Sequence, residues 1–138
     1  MVPSHILLES IDGWIWEGYD AERIYSKRAA NIWWKAWSYL QIWIRDKNIT
    51  SIDELDRGTR GIINHYFSNW VQDFDMALTN AGNHNKQFNQ MRLTYAEEFL
   101  KLFPNSKYSL IRIMVTAKGE SLFYLGKWKR QIRFFKIL

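Results

Sequence analysis

Four carboxylates on neighbouring predicted helices are the side chains of this chain that could do acid–base chemistry. Asp73 and Asp75 lie on one segment, and Glu97 and Glu98 lie on the next. Carboxylates that converge across adjacent helices can act as a general acid and a general base. Charged residues at the edge of an apolar helix face more commonly form salt bridges. We therefore expect structural roles for these four residues.

The sequence contains no motif for metal binding or nucleophilic catalysis. Its three histidines, His5, His65 and His84, are far apart, and none belongs to an H-E-x-x-H or E-x-x-H motif. The chain has no cysteine, which excludes disulfides, thiolate nucleophiles and cysteine-ligated clusters. It also lacks a phosphate-binding glycine loop and a G-x-S-x-G turn. We predict a non-enzymatic protein with no metal and no cofactor.

Basic charge is concentrated at the C-terminal end. Residues 101–138 contain nine Lys and Arg residues against one acidic residue, a balance of +8, whereas residues 1–100 contain 10 against 13, a balance of −3. Such a segment can contact phosphates or anionic lipid, or pair with acidic surface of its own fold or of a partner. A solvated basic surface with no specific role is the other interpretation, and the sequence leaves both open.

Aromatic side chains alternate with the last of these cations, which are Lys127, Lys129, Arg130, Arg133 and Lys136. Trp128 and Phe134 could stack on bases while the cations contact phosphates. No helix-turn-helix spacing accompanies the pattern. Binding of nucleic acid or another polyanion is therefore an alternative to protein interaction.

The apolar pattern predicts a series of helices. Residues 61–82 have one wide apolar face, and we expect Gly82 to end this helix in the left-handed conformation. Asp20 is a candidate N-cap for a helix over residues 20–47, and Ser51 with Glu54 forms a capping box for residues 52–57. Further helices are expected over residues 85–103, before Pro104, and over residues 107–125, although the run 109–115 also has strand propensity.

The first 19 residues show no clear helical period. Gly13 and Gly18 interrupt the segment. We expect an irregular N-terminal arm whose rings, Trp14, Trp16 and Tyr19, pack against the rest of the molecule, because three exposed rings would form a large apolar patch.

Two residues do not fit the apolar stripes. Trp34 projects almost opposite the stripe of its helix, where it is either covered by another element or exposed for a partner. Arg92 lies within the stripe of its helix, and a buried guanidinium needs an acceptor. Asp73 and Asp75 are the candidate acceptors, so we predict a structural ion pair.

Residues 117–135 resemble the tetratricopeptide repeat, a helical hairpin used in protein interaction. In that family a small residue on the first helix is followed by a turn glycine, an aromatic residue and an apolar pair. Gly119, Gly126, Trp128, Ile132 and Phe135 occupy the matching positions. The resemblance implies that Gly119 allows close helix approach, that Gly126 turns the chain and that Trp128 wedges between the two helices.

The match departs from the family at Gln131, where alanine is usual, and at Lys118, where leucine is usual. The order of the aromatic-rich segments is also similar to the helical region that precedes a C-terminal SEC-C metal-binding motif in some uncharacterised bacterial proteins. The cysteines and the histidine of that motif are absent here, so no metal function carries over.

The last predicted helix has more apolar surface than one stripe requires. Trp128, Ile132 and Phe135 share one face and Lys129, Arg133 and Lys136 the opposite one, while Phe134, Ile137 and Leu138 widen the apolar side. Helical arrays normally end with a helix whose outer face is polar. We therefore expect homo-oligomers or a partner helix at this edge.

Together these patterns predict an all-α array of about five or six antiparallel helices in one domain, residues 1–138. The domain comprises an arm (1–19), aromatic-rich helices (20–103) and a tetratricopeptide-like hairpin (106–138). We expect a cytoplasmic protein-interaction module without a membrane span, which contacts an unknown protein partner through two surfaces. These are the region around Trp34 and the terminal residues Lys129, Arg130, Arg133, Phe134, Lys136 and Ile137.

Overall fold

The computed structural model describes residues 4–126, with side chains described from residue 6 onward. Its six helices are α1 (Ser4–Glu22), α2 (Ser26–Ile44), α3 (Ile52–Gly58), α4 (Phe67–Gly82), α5 (Lys86–Leu102) and α6 (Tyr108–Tyr124). No strand occurs within these residues, and the run 109–115 lies in α6. The predicted all-α fold is confirmed.

Each long helix packs on the next one, α1 on α2, α2 on α4, α4 on α5 and α5 on α6, and α4 also contacts α3 and α6. α1 and α2 run antiparallel, since Trp14 near the middle of α1 contacts Tyr39 and Tyr19 near its end contacts Trp33. Because Tyr19 of α1 also binds Asp73 of α4, α4 is the central helix of the described residues.

Large aromatic rings fill the space between the helices. Trp33, Trp37 and Trp70 are fully buried. Tyr95 lies between α2 and α4, with ring centroids 4.8 Å from Trp37 and 4.5 Å from Phe74. Such pairs add to the free energy that burial of the rings contributes. The Tyr95 hydroxyl donates to the Val71 carbonyl over 2.7 Å, and burial raises its pKa well above the ordinary value.

The predicted irregular arm is wrong, because residues 4–22 form α1. Gly18 lies inside α1 and faces the ring of Trp33, which occupies the space that a Cβ at position 18 would need. The Trp33 Nε1–H donates to the Ile15 carbonyl over 3.1 Å. A residue that looks like a helix breaker is therefore the point where α1 and α2 approach closely.

The predicted boundary of the second helix is also wrong. Asp20 lies inside α1 and caps nothing, and α2 begins at Ser26 without a side-chain cap from Tyr25. The buried side of α2 is centred on Trp33 and Trp37, whereas Tyr25 is exposed. The rings of α2 face α4 and α5 because those helices supply the aromatic partners.

The capping box of α3 is confirmed, since the Glu54 N–H donates to Ser51 Oγ over 3.1 Å. The central helix starts six residues later than predicted, at Phe67. Its cap comes from α3: one Asp56 carboxylate accepts the N–H groups of Phe67 at 2.6 Å and of Ser68 at 3.3 Å. Residues 59–66 form a turn that includes Gly61 at φ 94°.

Gly82 does end α4, but the predicted reason is wrong. Its φ is not positive, and a Cβ at this position would overlap Oδ1 of Asn89. The Asn89 Nδ2–H donates to the Gly82 carbonyl over 3.2 Å, which satisfies one of the last carbonyls of the helix. Glycine is needed here for close approach of α5.

The later helices follow the predictions closely. Asn85 caps α5, with its side chain accepting the Gln87 N–H over 2.9 Å, and α5 ends before Pro104. α6 ends at Tyr124, and Gly126 follows with φ 76°. Left-handed glycine is common directly after a helix, and it turns the chain there.

Candidate functional site

A cleft between α1, the 59–66 turn and α4 brings together a tyrosine, a histidine and an aspartate. The Tyr19 hydroxyl donates to Asp73 Oδ2 over 2.5 Å. The His65 ring stacks on Tyr19, with centroids 4.9 Å apart and planes 24° apart. Trp16 also packs edge-on against His65, with ring centroids 4.5 Å apart. The imidazole therefore contacts two rings of α1.

Local contacts place the turn against α1. The Asn64 backbone N–H donates to Asp12 Oδ1 over 2.9 Å, and the Asn64 side chain donates to Oδ2 over 2.8 Å. Two hydrogen bonds to one carboxylate fix the turn in register with the helix. His65, the next residue, is thereby directed at Tyr19 and Trp16.

The cleft has a volume of about 340 Å³ and is lined by Tyr19, His65, Tyr66, Asn69, Gln72 and Asp73. A second depression of about 290 Å³ adjoins it on the other side of His65 and Tyr66. Two large rings next to His65 keep much of their surface in solvent: Trp16, which packs on His65, is 51% exposed, and Tyr66, which lines the cleft, is 65% exposed. The cleft thus offers apolar ring surface and amide groups to a ligand.

The electrostatics of the cleft keep Tyr19 protonated. Burial raises the pKa of Tyr19, and so do the hydrogen bond to Asp73 and the charges of Asp73 and Glu22. Burial also raises the pKa of Glu22, with a further contribution from Asp73. A phenol held in this form donates to Asp73 and cannot serve as a base or a nucleophile near neutral pH.

The ion pair predicted for Arg92 exists, but with only one of the two candidate acceptors. Arg92, which is 4% exposed, donates from Nε to Asp75 Oδ1 over 2.8 Å and from Nη2 to Glu120 Oε1 over 2.9 Å. Asp73 is not its partner, because Asp73 points towards α1 and binds Tyr19. Burial alone would lower the pKa of Arg92, but Asp75 and Glu120 raise it.

Arg92 therefore joins α4, α5 and α6. A cleft of about 360 Å³ lies beside it, lined by Asp75, Met76, Thr79, Arg92, Arg112, Ile113, Thr116 and Glu120. The guanidinium is already matched by two carboxylates, which leaves it a structural group rather than a receptor for an anion.

The four carboxylates considered for acid–base chemistry do not form a common site. Asp73 binds Tyr19, Asp75 binds Arg92, and Glu98 accepts the Trp37 Nε1–H over 3.1 Å. Within the described residues, no group of three or more His, Asp or Glu side chains is arranged to hold a metal ion.

Trp34 is half-buried, and its ring packs edge-on to Phe74 of α4 with centroids 6.5 Å apart. Its predicted role in partner binding stays a prediction. Gly119 is buried in α6, and Gly126 follows that helix. Seven further predicted residues lie outside the described residues: Trp128, Lys129, Arg130, Arg133, Phe134, Lys136 and Ile137.

Sequence reasoning missed the cleft at Tyr19, His65 and Asp73. It treated Tyr19 as part of an arm and placed His65 on the central helix, whereas His65 precedes α4. The signal that could have found the site was the cluster Trp14, Trp16 and Tyr19, which requires a partner surface.

Comparison of the chain with protein-family models, curated proteins and solved structures gives no match. Among the described residues, none of the helices combines the length and the hydropathy needed to cross a bilayer. The geometry and charges of the described residues therefore carry the functional argument.

Proposed function

We propose that this chain is a non-enzymatic protein-interaction module that contacts its partner at the rim of the α1–α4 cleft. The observation that carries the proposal is the exposure of two rings beside His65: Trp16, which packs on it, and Tyr66, which lines the cleft with it. Exposed Trp and Tyr rings beside polar groups are typical of interface hot spots, because each ring buries a large area and loses little conformational entropy. Asn69 and Gln72 would supply the polar contacts of that interface.

The protonation states of the cleft favour this role over a catalytic one. Tyr19 is held protonated against Asp73, and one nitrogen of His65, Nδ1, is buried without a hydrogen-bond partner among the described residues. A catalytic base needs access to the proton it removes. A rigid ring cluster, in contrast, provides the preorganised surface that protein recognition uses.

Site-specific cross-linking in the native host tests the proposal. A photoreactive amino acid replaces Trp16 in one variant and Tyr66 in another, with Tyr108 as the matched control because it is an exposed tyrosine on the distant helix α6. We expect adducts with the same protein from positions 16 and 66 and none from position 108. Equal adducts at all three positions, or none at 16 and 66, would refute the proposal.

The tetratricopeptide-like hairpin stays part of the proposal, with Gly119 and Gly126 as its described positions. The region around Trp34 and the terminal residues Lys129, Arg130, Arg133, Phe134, Lys136 and Ile137 are two further proposed contact surfaces. Polyanion binding by residues 127–138 is the alternative function, favoured by the +8 balance of residues 101–138. Affinity for RNA or DNA that falls steeply with added salt would support it. The expected cytoplasmic location is tested by cell fractionation.

A further inference from the structure

The outer face of α1 is only partly covered by the described part of the chain, where Asn64 binds Asp12 and His65 packs on Trp16. Leu8, Ile11 and Ile15 on the inner side of the helix are buried. At 100° per residue the opposite side carries a set of residues within about 140° of one another: Ile6, Glu9, Asp12, Gly13, Trp16, Glu17 and Asp20. Ile6 and Trp16 are large apolar side chains that remain exposed on this face.

The charge of this face has one sign. α1 contains five acidic residues and no Lys or Arg. Glu9, Glu17 and Asp20 are exposed, and no salt bridge to them occurs among the residues that the structure describes. Exposed apolar surface that is flanked by uncompensated carboxylates is complementary to a basic, aromatic segment.

The chain itself carries a segment of that chemistry. Residues 127–138 contain five Lys and Arg residues and no Asp or Glu, together with Trp128, Phe134 and Phe135. On the helical spacing predicted for the segment, Lys129, Arg133 and Lys136 share one face. The outer face of α1 carries four acidic residues, Glu9, Asp12, Glu17 and Asp20, against the five basic residues of this segment.

The order of the helices directs this pairing to a second molecule. The basic segment follows Gly126, directly after α6, and α6 packs mainly on α5 and α4, whereas α1 packs mainly on α2. Starting from the proposed function, on which this inference rests, we propose that the partner is a second copy of this chain. Its residues 127–138 bind the outer face of α1, around Trp16, in a head-to-tail contact.

A contact of this kind is heterologous, because the two surfaces differ. Each molecule keeps one free end after the first contact, so assembly continues to a ring or an open chain instead of stopping at a dimer. Because exposed charges dominate the contact, salt weakens it: the Debye length falls from ~10 Å at about 0.1 M to ~3 Å at about 1 M ionic strength.

Sedimentation velocity of the full chain at these two ionic strengths tests the proposal. We expect concentration-dependent species larger than a dimer at low salt and dissociation at high salt. Two variants reverse the charge of one surface each, Glu17→Lys with Asp20→Lys, and Lys129→Glu with Arg133→Glu. Either variant alone should weaken association at least about tenfold, since like charges then face each other.

Mixing the two variants should restore association, because the reversed α1 face of one is then opposite in charge to the reversed tail of the other. The matched control, Asp46→Lys with Glu97→Lys, changes two exposed carboxylates outside α1 and should associate as the unmodified chain does. Mixed variants that stay dissociated, or association insensitive to salt and to both reversals, would overturn the proposal. A monomer at every concentration would also overturn it, while adducts with another protein at positions 16 and 66 would leave the proposed function intact.

Discussion

Replacement of Gly18 by alanine is a sharp test of the packing of α1 against α2. A Cβ at position 18 would overlap the indole atoms Nε1, Cδ1 and Cε2 of Trp33. Trp33 is fully buried and cannot move into solvent. The ring has to shift, and its hydrogen bond from Nε1 to the Ile15 carbonyl is lost.

Three contributions set the size of the effect. Alanine in a helix interior gains about 0.5–1 kcal/mol over glycine. Overpacking of a filled core costs about 1–3 kcal/mol. A buried indole N–H without its acceptor costs about 1–3 kcal/mol more. Gly18→Ala should therefore lower the free energy of unfolding by about 1–5 kcal/mol.

Gly13→Ala, in the same helix, is the matched control, because no other described atom lies within 4 Å of the Cβ position at Gly13, apart from its chain neighbours and the nearby backbone of α1. This variant should gain the helix propensity alone, about 0.5–1 kcal/mol. Urea unfolding followed by circular dichroism measures both changes. If Gly18→Ala is as stable as Gly13→Ala, the close approach of α1 and α2 at Trp33 is wrong.

Three further changes test other contacts. Asp75→Ala should lower the free energy of unfolding by about 3–5 kcal/mol, since it leaves the buried Arg92 with only the half-exposed Glu120. Glu120→Ala should lower it by about 1 kcal/mol or less. Equal losses of the two variants in urea unfolding would contradict the central role of Asp75. Asp56→Ala should lower the free energy of unfolding by about 0.5–2 kcal/mol, because it removes the cap of α4. Asp56→Asn should lose less, because its side-chain oxygen can still accept a hydrogen bond. An unchanged urea midpoint for Asp56→Ala would exclude the cap. Burial and Asp73 raise the pKa of Glu22, so the folded chain binds the Glu22 proton more tightly than the unfolded chain does. The free energy of unfolding should therefore fall as pH rises from 4.5 through the raised pKa of Glu22. Glu22→Gln should flatten that part of the plot of unfolding free energy against pH, and an unchanged slope would refute the assignment.

Helical periodicity was sufficient to predict α5 and α6. Their bounds follow from Asn85, Pro104 and Gly126, which act within a few residues of their own position in the chain. Local chemistry of this kind is readable from sequence, because no distant residue has to be placed first.

Boundaries that depend on distant contacts could not be predicted. α4 begins at Phe67 because Asp56 on α3 caps it, and α1 tolerates Gly18 because Trp33 fills the space. The sequence offers Asp73 and Asp75 as acceptors for Arg92 and does not choose between them. The choice depends on the packing of α1, which brings Tyr19 to Asp73 and leaves Asp75 for Arg92. The cleft has the same origin, because Tyr19 and Asp73 are 54 residues apart.

The most direct test of the proposed function is the size of the chain's assembly in lysate of its native host. Native size-exclusion chromatography is run on the unmodified chain, on Trp16→Ala with Tyr66→Ala, and on the control Tyr25→Ala with Tyr108→Ala, which removes two rings elsewhere that are at least as exposed. We predict that the unmodified chain and the control elute in an assembly, and that loss of Trp16 and Tyr66 releases the free chain. Elution of the Trp16 and Tyr66 variant with the assembly would contradict the account.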